Sequence, residues 1–379
     1  MSLKNIIGQE KAISILRGIM QRQRLATSFL FCGEPGIGKK TTAINFAKAL
    51  NCLKNSQESG VRSKELINKD KNTSPLLLDP LPEASHLTPD TSLSQDASLL
   101  MPDSSLSQDA SHLTPDTSLS FDSCDECDSC LKIDSGTHPD FILISPEDRI
   151  IKIEEIRMID EALSFKPFEA DKKLVIVDDA ETMNISAANA FLKTLEEPPQ
   201  DSIIILVSSR PDRLPETIRS RCSRINFKPL STESCMQALK DKIPQESLEL
   251  VTRLCMGRPG TALSCDLVEE KAWFVNLFMS MMNAEKDGWT SREDMEKWLE
   301  LSLTIFRDLA VLKITGGTSG LINIDIREYL NKLSKSADLK VIINLYNELS
   351  SLKDLLFFNL NKSVTWNYTA SLLRKELSV

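Results

Sequence analysis

A chain of 379 residues is long enough for two or three domains, each with its own core. Its longest apolar runs, SIIILV and KLVIV, fall far short of the roughly 20 residues needed to cross a bilayer, and no apolar signal core opens the chain, so cytoplasm is expected and a membrane partner is not. The net charge of −9 is concentrated in residues 53–123, which carry five Lys/Arg against eleven Asp/Glu; the rest is near −3, and charge argues neither for nor against nucleic acid as a partner.

The first predicted strand, SFLFC at 28–32, runs into GEPGIGKK and then a helix. The loop fits G-x-x-x-x-G-K with Gly33, Gly38 and Lys39, and Gly36 lies inside it. Glycines let successive backbone amides converge on an anion at the start of the following helix, where Lys39 reaches the terminal phosphates of a nucleotide. The next residue breaks the pattern. Lys40 stands where a Ser/Thr hydroxyl normally binds magnesium, and Thr41 cannot replace that hydroxyl, because one helical step turns its side chain by about 100°. Nucleotide binding is expected, with hydrolysis impaired.

Residues 53–123 hold three tandem copies of a 13-residue unit, EASHLTPDTSLSQ, DASLLMPDSSLSQ and DASHLTPDTSLSF. No aromatic residue occurs between Leu53 and Ser120, and Ser, Asp, Thr and Pro dominate, a composition that cannot bury enough apolar surface to offset the entropy of ordering. A disordered insertion in a surface loop is expected; a short solenoid is the alternative, against which stands the lack of glycine turns and of an apolar stripe.

The insertion separates Cys52 from Cys124, Cys127 and Cys130 in SCDECDSCLK. Four thiolates, three at C-x2-C-x2-C spacing, can surround one tetrahedral zinc, and a long loop between the first ligand and the others adds little closure entropy. Two other readings stay open: an iron–sulfur site, although the C-x3-C-P continuation is missing, and four unliganded reduced thiols.

Further along, KLVIVDDAETMN reads as a buried strand ending in Asp178 and Asp179, placed to hold a metal through water and to orient an attacking water. The second carboxylate is an Asp, shorter than the Glu usual in active ring ATPases. DFILISP, SIIILVSS and RINFKP are three more short strands; IKIEEIRMIDEALSF and ISAANAFLKTLEEPP carry helical spacing, with Ala188, Phe191, Leu192 and Leu195 on one face and Pro198 and Pro199 stopping the second helix. The fold class expected is α/β, doubly wound, with a mostly parallel sheet whose ligand sits at the carboxyl ends of the strands.

GTHPDF, IKIEEIR, NAFLKTLEEPP and LPETIRSRC, in that order and together with the four cysteines, closely resemble the clamp-loader branch of the AAA+ P-loop proteins. The likeness runs from about Ile7 to GRPGTAL, excluding the insertion, and fades in the last third. It implies an AAA+ α/β domain over 1–230 with a zinc module, a small helical lid over 231–267 and a C-terminal all-helical collar over 268–379. It also implies that Arg221, the arginine of SRC, is a finger offered to ATP held by a neighbouring subunit; without that resemblance it reads as a surface basic residue. Hydrolysing members have Ser/Thr after the loop lysine and an arginine in the lid, where this chain has Lys40 and Gly260, with Arg258 two residues earlier on a different helical direction. That pattern is similar to the stationary member of the ring, which completes a neighbour's site without turning over ATP. The partners so implied are clamp-loader ATPase subunits of the gamma/tau type, a delta-type clamp-opening subunit, the sliding clamp and, through the complex, primer-template DNA. Two other classes remain: an autonomous P-loop ATPase, and a zinc-containing scaffold with relic nucleotide motifs.

Overall fold

The computed structural model describes residues 2–21, 26–55, 122–147, 149–283, 288–358 and 360–377. The three tandem repeats lie outside the described residues. The flanks of the segment read as an insertion do not: Asn55 Nδ2 donates to the Asp122 carbonyl at 3.0 Å.

Five strands, β1 (Ser28–Cys32), β2 (Phe141–Ile144), β3 (Lys173–Val177), β4 (Ser202–Ser208) and β5 (Ser223–Asn226), form a sheet of order β2-β3-β4-β1-β5 in which every pairing is parallel. β1, β3 and β4 are buried on both faces, which is why they read as continuous apolar runs rather than alternating ones. Alternate residues serve opposite layers. Phe29, Phe31, Ile203 and Ile205 pack with Leu16 and Phe46 from α1 (Glu10–Gln21) and α2 (Lys39–Leu50). Leu30, Ile204 and Leu206 pack with Ile156, Ile159 and Phe191 from the helices Ile153–Ser164 and Ile185–Glu196. On the latter helix Ala188, Phe191 and Leu195 are buried and Leu192 is partly so; Asn184 caps its start by accepting from the Ala187 N–H at 2.7 Å.

With α3 (Asp128–Asp134) between β1 and β2, those two helices become α4 and α5, and α6 is the short turn Glu216–Arg219 before β5. Three helices follow: α7 (Thr232–Leu239), α8 (Gln245–Leu254) and α9 (Pro259–Ser264). Their Cys235, Leu239, Val251, Cys255 and Ala262 join the α1/α2 layer of the core. The C-terminal helices α10 (Leu267–Met282), α11 (Arg292–Thr315), α12 (Arg327–Ser336), α13 (Leu339–Leu355) and α14 (Lys362–Glu376) enclose a separate core centred on Trp298, on which Phe278 stacks and against which Phe274 and Trp289 pack at a tilt. The two bodies are tied by Arg253, whose Nη1 donates to the Leu321 carbonyl at 2.9 Å, and by the exposed pairs Arg149–Glu293 and Arg210–Glu296.

Candidate nucleotide-binding site and metal centre

In the strand order, β4 lies between β3 and β1, so the residues after these three strands meet at one end of the sheet. Asp178 and Asp179 follow β3, Ser209 follows β4, and the glycine loop follows β1. Together they line one side of a cavity of about 570 Å³ whose other walls include Ile6, Ile7, Leu230 and Leu263. Gln237, Asp241 and Lys242 also line it, so the cavity joins apolar patches to polar groups, as small-molecule sites commonly do.

The loop owes its shape to its glycines. Gly38 caps α2 with φ +94°, and Gly36 has φ +76°, both in the region that side chains other than glycine rarely adopt. Gly33 begins the loop, its N–H donating to the Ser208 carbonyl at 3.3 Å. Lys39 is 6% exposed, and its ammonium donates to the Gly33 and Glu34 carbonyls, each at 2.7 Å, and to Ser209 Oγ at 3.0 Å. Burial lowers its pKa, against the opposing pull of Glu181, Asp179 and Asp178. Asp179, with φ +45°, has its carboxyl pushed up by burial and then by the charges of Asp178 and Glu181. Glu181 braces the Ser209 turn by accepting from the backbone N–H groups of Ser209 and Arg210 at 2.9 and 3.0 Å.

Lys40 does something its place in the motif does not announce. Its ammonium pairs with Asp178 Oδ2 at 2.9 Å and donates to Ser145 Oγ at 3.2 Å. A magnesium ion of the kind the motif implies does not fit this arrangement: the carboxylate that would hold it already has a cation, and the hydroxyl beside the pair, Ser145 Oγ, already accepts from that cation. Thr41 is exposed at the cavity rim, and the Thr42 hydroxyl is turned inward to the Gly38 carbonyl at 2.8 Å. The lid is seated on the loop as well. The Gly260 N–H donates to the Gly36 carbonyl at 2.8 Å, and a Cβ on Gly260 would lie 2.8 Å from the Gly36 Cα and O. Arg258 does not enter the cavity; its Nε lies 3.8 Å from a Glu34 carboxylate oxygen.

Arg221 is elsewhere. It follows α6 two residues before the amino end of β5, whereas the loop sits at the carboxyl ends, and it does not line the cavity. Its guanidinium donates to the Thr217 carbonyl at 2.8 Å and to Glu196 Oε1 at 2.5 Å, with the side chain 34% exposed.

The four cysteines come together. Their sulfurs lie within 4.8 Å of one another, Cys52 and Cys130 buried, Cys124 and Cys127 partly exposed. Cys52 follows the end of α2, Cys127 caps α3 and Cys130 lies inside it. The Cys127 N–H donates to Cys124 Sγ at 3.3 Å. Burial opposes the Cys124 thiolate, but the backbone N–H groups of Glu126 and Cys127 and the neighbouring thiols outweigh it and bring the group down to about 7. An all-sulfur, half-buried donor set of this size fits one tetrahedral ion; in an iron–sulfur cluster the four ligands are divided among two or four irons, so that some of them stand further apart. The module is anchored by residues whose role is not evident from spacing. Lys48, wholly buried, bridges Asp125 and Asp134 at 2.6 Å each. Asp122 accepts from the N–H groups of Leu3, Lys4 and Ser123 at 2.7–2.9 Å, and its carbonyl accepts from Asn55 Nδ2 at 3.0 Å.

The parallel sheet, the glycine loop at its carboxyl edge and the lid set against that loop define a P-loop protein of the AAA+ class. The sequence profile of the family described as "DNA polymerase III, delta subunit" matches residues 8–74 and 104–231. DNA polymerase III subunit delta' of Bacillus subtilis is 24% identical over 372 residues, covering 93% of this chain and 92% of that protein. The subunit of the same name from Pseudomonas aeruginosa is 31% identical over 238 residues, covering 58% and 71%. A solved gamma-subunit-related protein of Thermotoga maritima covers 65% of this chain and 89% of that one at 21% identity, with a TM-score of 0.34. The chain belongs to the DNA polymerase III delta-subunit family and has a clamp-loader role in DNA replication.

Proposed function

We propose that this chain is the stationary, delta-prime-type member of the clamp-loader ring, which completes a neighbour's ATP site with Arg221 and does not hydrolyse ATP in its own. The observation that carries this reading is the separation of the two half-sites: the loop has a lysine ammonium on Asp178 where the metal belongs, while the guanidinium lies outside the chain's own cavity on a partly exposed turn. A planar guanidinium delivered across a boundary suits the charge that spreads over a transferring phosphoryl group. The partners in this reading are gamma/tau-type ATPase subunits, a delta-type clamp-opening subunit, the sliding clamp and primer-template DNA reached through the complex. Zinc is the metal proposed for Cys52, Cys124, Cys127 and Cys130, in a structural role because four protein sulfurs leave no open position.

The domain division at 230 and 267 belongs to the same proposal. The separate C-terminal core around Trp298 supports the second boundary; the first is softer, since lid residues such as Cys235 and Leu239 share the core of the α/β domain. ATPase assays test the function. The chain alone turns over no ATP, and adding it to the motor subunits raises theirs; brisk magnesium-dependent turnover by the isolated chain would instead make it an autonomous ATPase.

A further inference from the structure

We propose that Lys40 replaces magnesium in this phosphate loop, so that the cavity binds adenosine di- or triphosphate as the metal-free anion. This deepens the reading of Gly33 to Lys39 as a nucleotide loop. It does not depend on the role of Arg221.

The geometry is specific. Lys40 is the first residue after the loop lysine, and its side chain turns back across the sheet edge to Asp178 at 2.9 Å and Ser145 at 3.2 Å. In a metal-dependent loop the position after the lysine and the carboxylate after the third strand hold one divalent ion between them, which screens the phosphates from that carboxylate. Here the same two positions are joined directly by an ammonium. The Asp178 charge is therefore met without a metal, and the phosphates face two fixed cations, Lys39 and Lys40, together with the loop amides. An ammonium differs from hydrated magnesium in having three donors and no exchangeable water, so it screens charge without supplying a coordinated water for attack. Binding and turnover come apart at this one residue.

The electrostatics give the inference a signature with unusual sign. Free magnesium competes with the protein for the β- and γ-phosphate oxygens of a nucleotide, and at this site it would crowd the Lys40 ammonium. Removing the Asp178 charge frees Lys40 to give all its hydrogen bonds to the phosphates. In a loop that uses magnesium, the same change weakens binding by removing metal support.

The test is calorimetric titration of the full chain with ATP and with ADP, in buffer containing magnesium and in buffer containing excess EDTA. The wild-type chain is expected to bind at least as tightly in EDTA as in magnesium. Asp178→Asn should tighten binding in EDTA, and Lys40→Ser should weaken it roughly tenfold or more, the loss of one charge-assisted hydrogen bond, and recover part of it with magnesium. Both positions are at the cavity surface, and either variant alone is decisive if the other fails to fold. Wild-type binding that appears only with magnesium, a weaker Asp178→Asn, or no binding of ATP or ADP in either buffer each overturns the proposal. The Arg221 reading would survive all three, since it is judged by the activity of the mixed ring.

Discussion

The phosphate loop and the Arg221 turn belong to one sheet and stand at its opposite ends, and they differ in what their charged groups are doing. At the loop every cation has a partner inside the chain: Lys39 on three oxygens, Lys40 on Asp178, and Arg258 facing Glu34. At the turn Arg221 is held by Glu196, the Thr217 carbonyl and Ser220 Oγ, all exposed, and surface ion pairs of this kind are worth little. The loop's charges are met within the chain, and the guanidinium at the turn is tied only by surface contacts. The proposed role of Arg221, half an active site supplied to a neighbour, calls for that asymmetry.

The largest expected consequence of this difference falls on Arg221. Arg221→Ala is expected to lower turnover at the neighbour's ATP site it completes by roughly 10³-fold or more, the magnitude of an arginine finger, read as a loss of that site's share of the assembled ring's ATPase rate, while leaving nucleotide binding by the isolated chain as it was. If both measurements move together, the two ends of the sheet are not independent.

Next in size is the metal centre, which lies at the far end of α2 from the phosphate loop. Cys130→Ser should abolish zinc in metal analysis of freshly purified reduced protein and lower the stability of the α/β domain, since the binding free energy of a structural zinc, about 10–16 kcal/mol in small zinc modules, is folding free energy. Hydrogen exchange at Leu3 and Lys4 should rise, since Asp122 of the same module holds their N–H groups. All four tryptophans lie in the C-terminal helical region, so their fluorescence should keep its native midpoint. Zinc-free wild-type protein would remove the proposal.

A smaller effect sharpens the account of the lid. Gly260→Ala places a Cβ 2.8 Å from the Gly36 backbone, which cannot yield as a side chain could. Overpacking of this kind costs about 1–3 kcal/mol, or roughly 2–4 °C in Tm for each kcal/mol in a domain of this size. Restoring the lid arginine of hydrolysing members by Gly260→Arg, even with Lys40→Ser, should therefore lower Tm without creating turnover. A hydrolysing double variant would mean that the lid is not fixed on the loop.

The strands of the buried sheet were legible because residues such as Phe29, Ile204 and Val175 are apolar without interruption, and the cavity was legible because glycine spacing and a strand-end carboxylate are local signals. The four cysteines were legible by spacing even across the repeats. What sequence could not express was which distant group each charge meets. Lys40 was readable as a missing hydroxyl but not as the partner of Asp178, 138 residues away. Lys48 has the appearance of an exposed helix residue and is wholly buried between two aspartates, and Gly260 marks a lost arginine in one dimension but a backbone contact in three. Asp122 counted as part of an insertion and is an anchor.

GTHPDF carries the smallest effect and separates support from function at the amino end of the sheet. Buried Asp140 accepts from the N–H groups of Phe168, Glu169 and Ala170 at 2.7–3.0 Å, and buried His138 accepts from the Asp140 N–H at 3.0 Å and lies 3.2 Å from Ser129 Oγ. Burial lowers the His138 pKa from 6.5, only partly countered by Glu169 and Asp140 and aided by Lys132. The unfolded chain therefore takes up this proton first as pH falls. The stability His138 contributes is complete above pH 6.5 and is lost as pH drops through its depressed folded value. Asp140 acts later: burial would raise its carboxyl, but the three backbone donors hold it below 3.8, so its share is lost only under stronger acid. Between pH 7 and 5 the Tm of wild-type protein should fall by about a few degrees more than that of His138→Asn, with nucleotide binding unchanged between the two. Parallel Tm curves would take His138 out of the account, and a difference in nucleotide binding would mean that the two ends of the sheet are coupled after all.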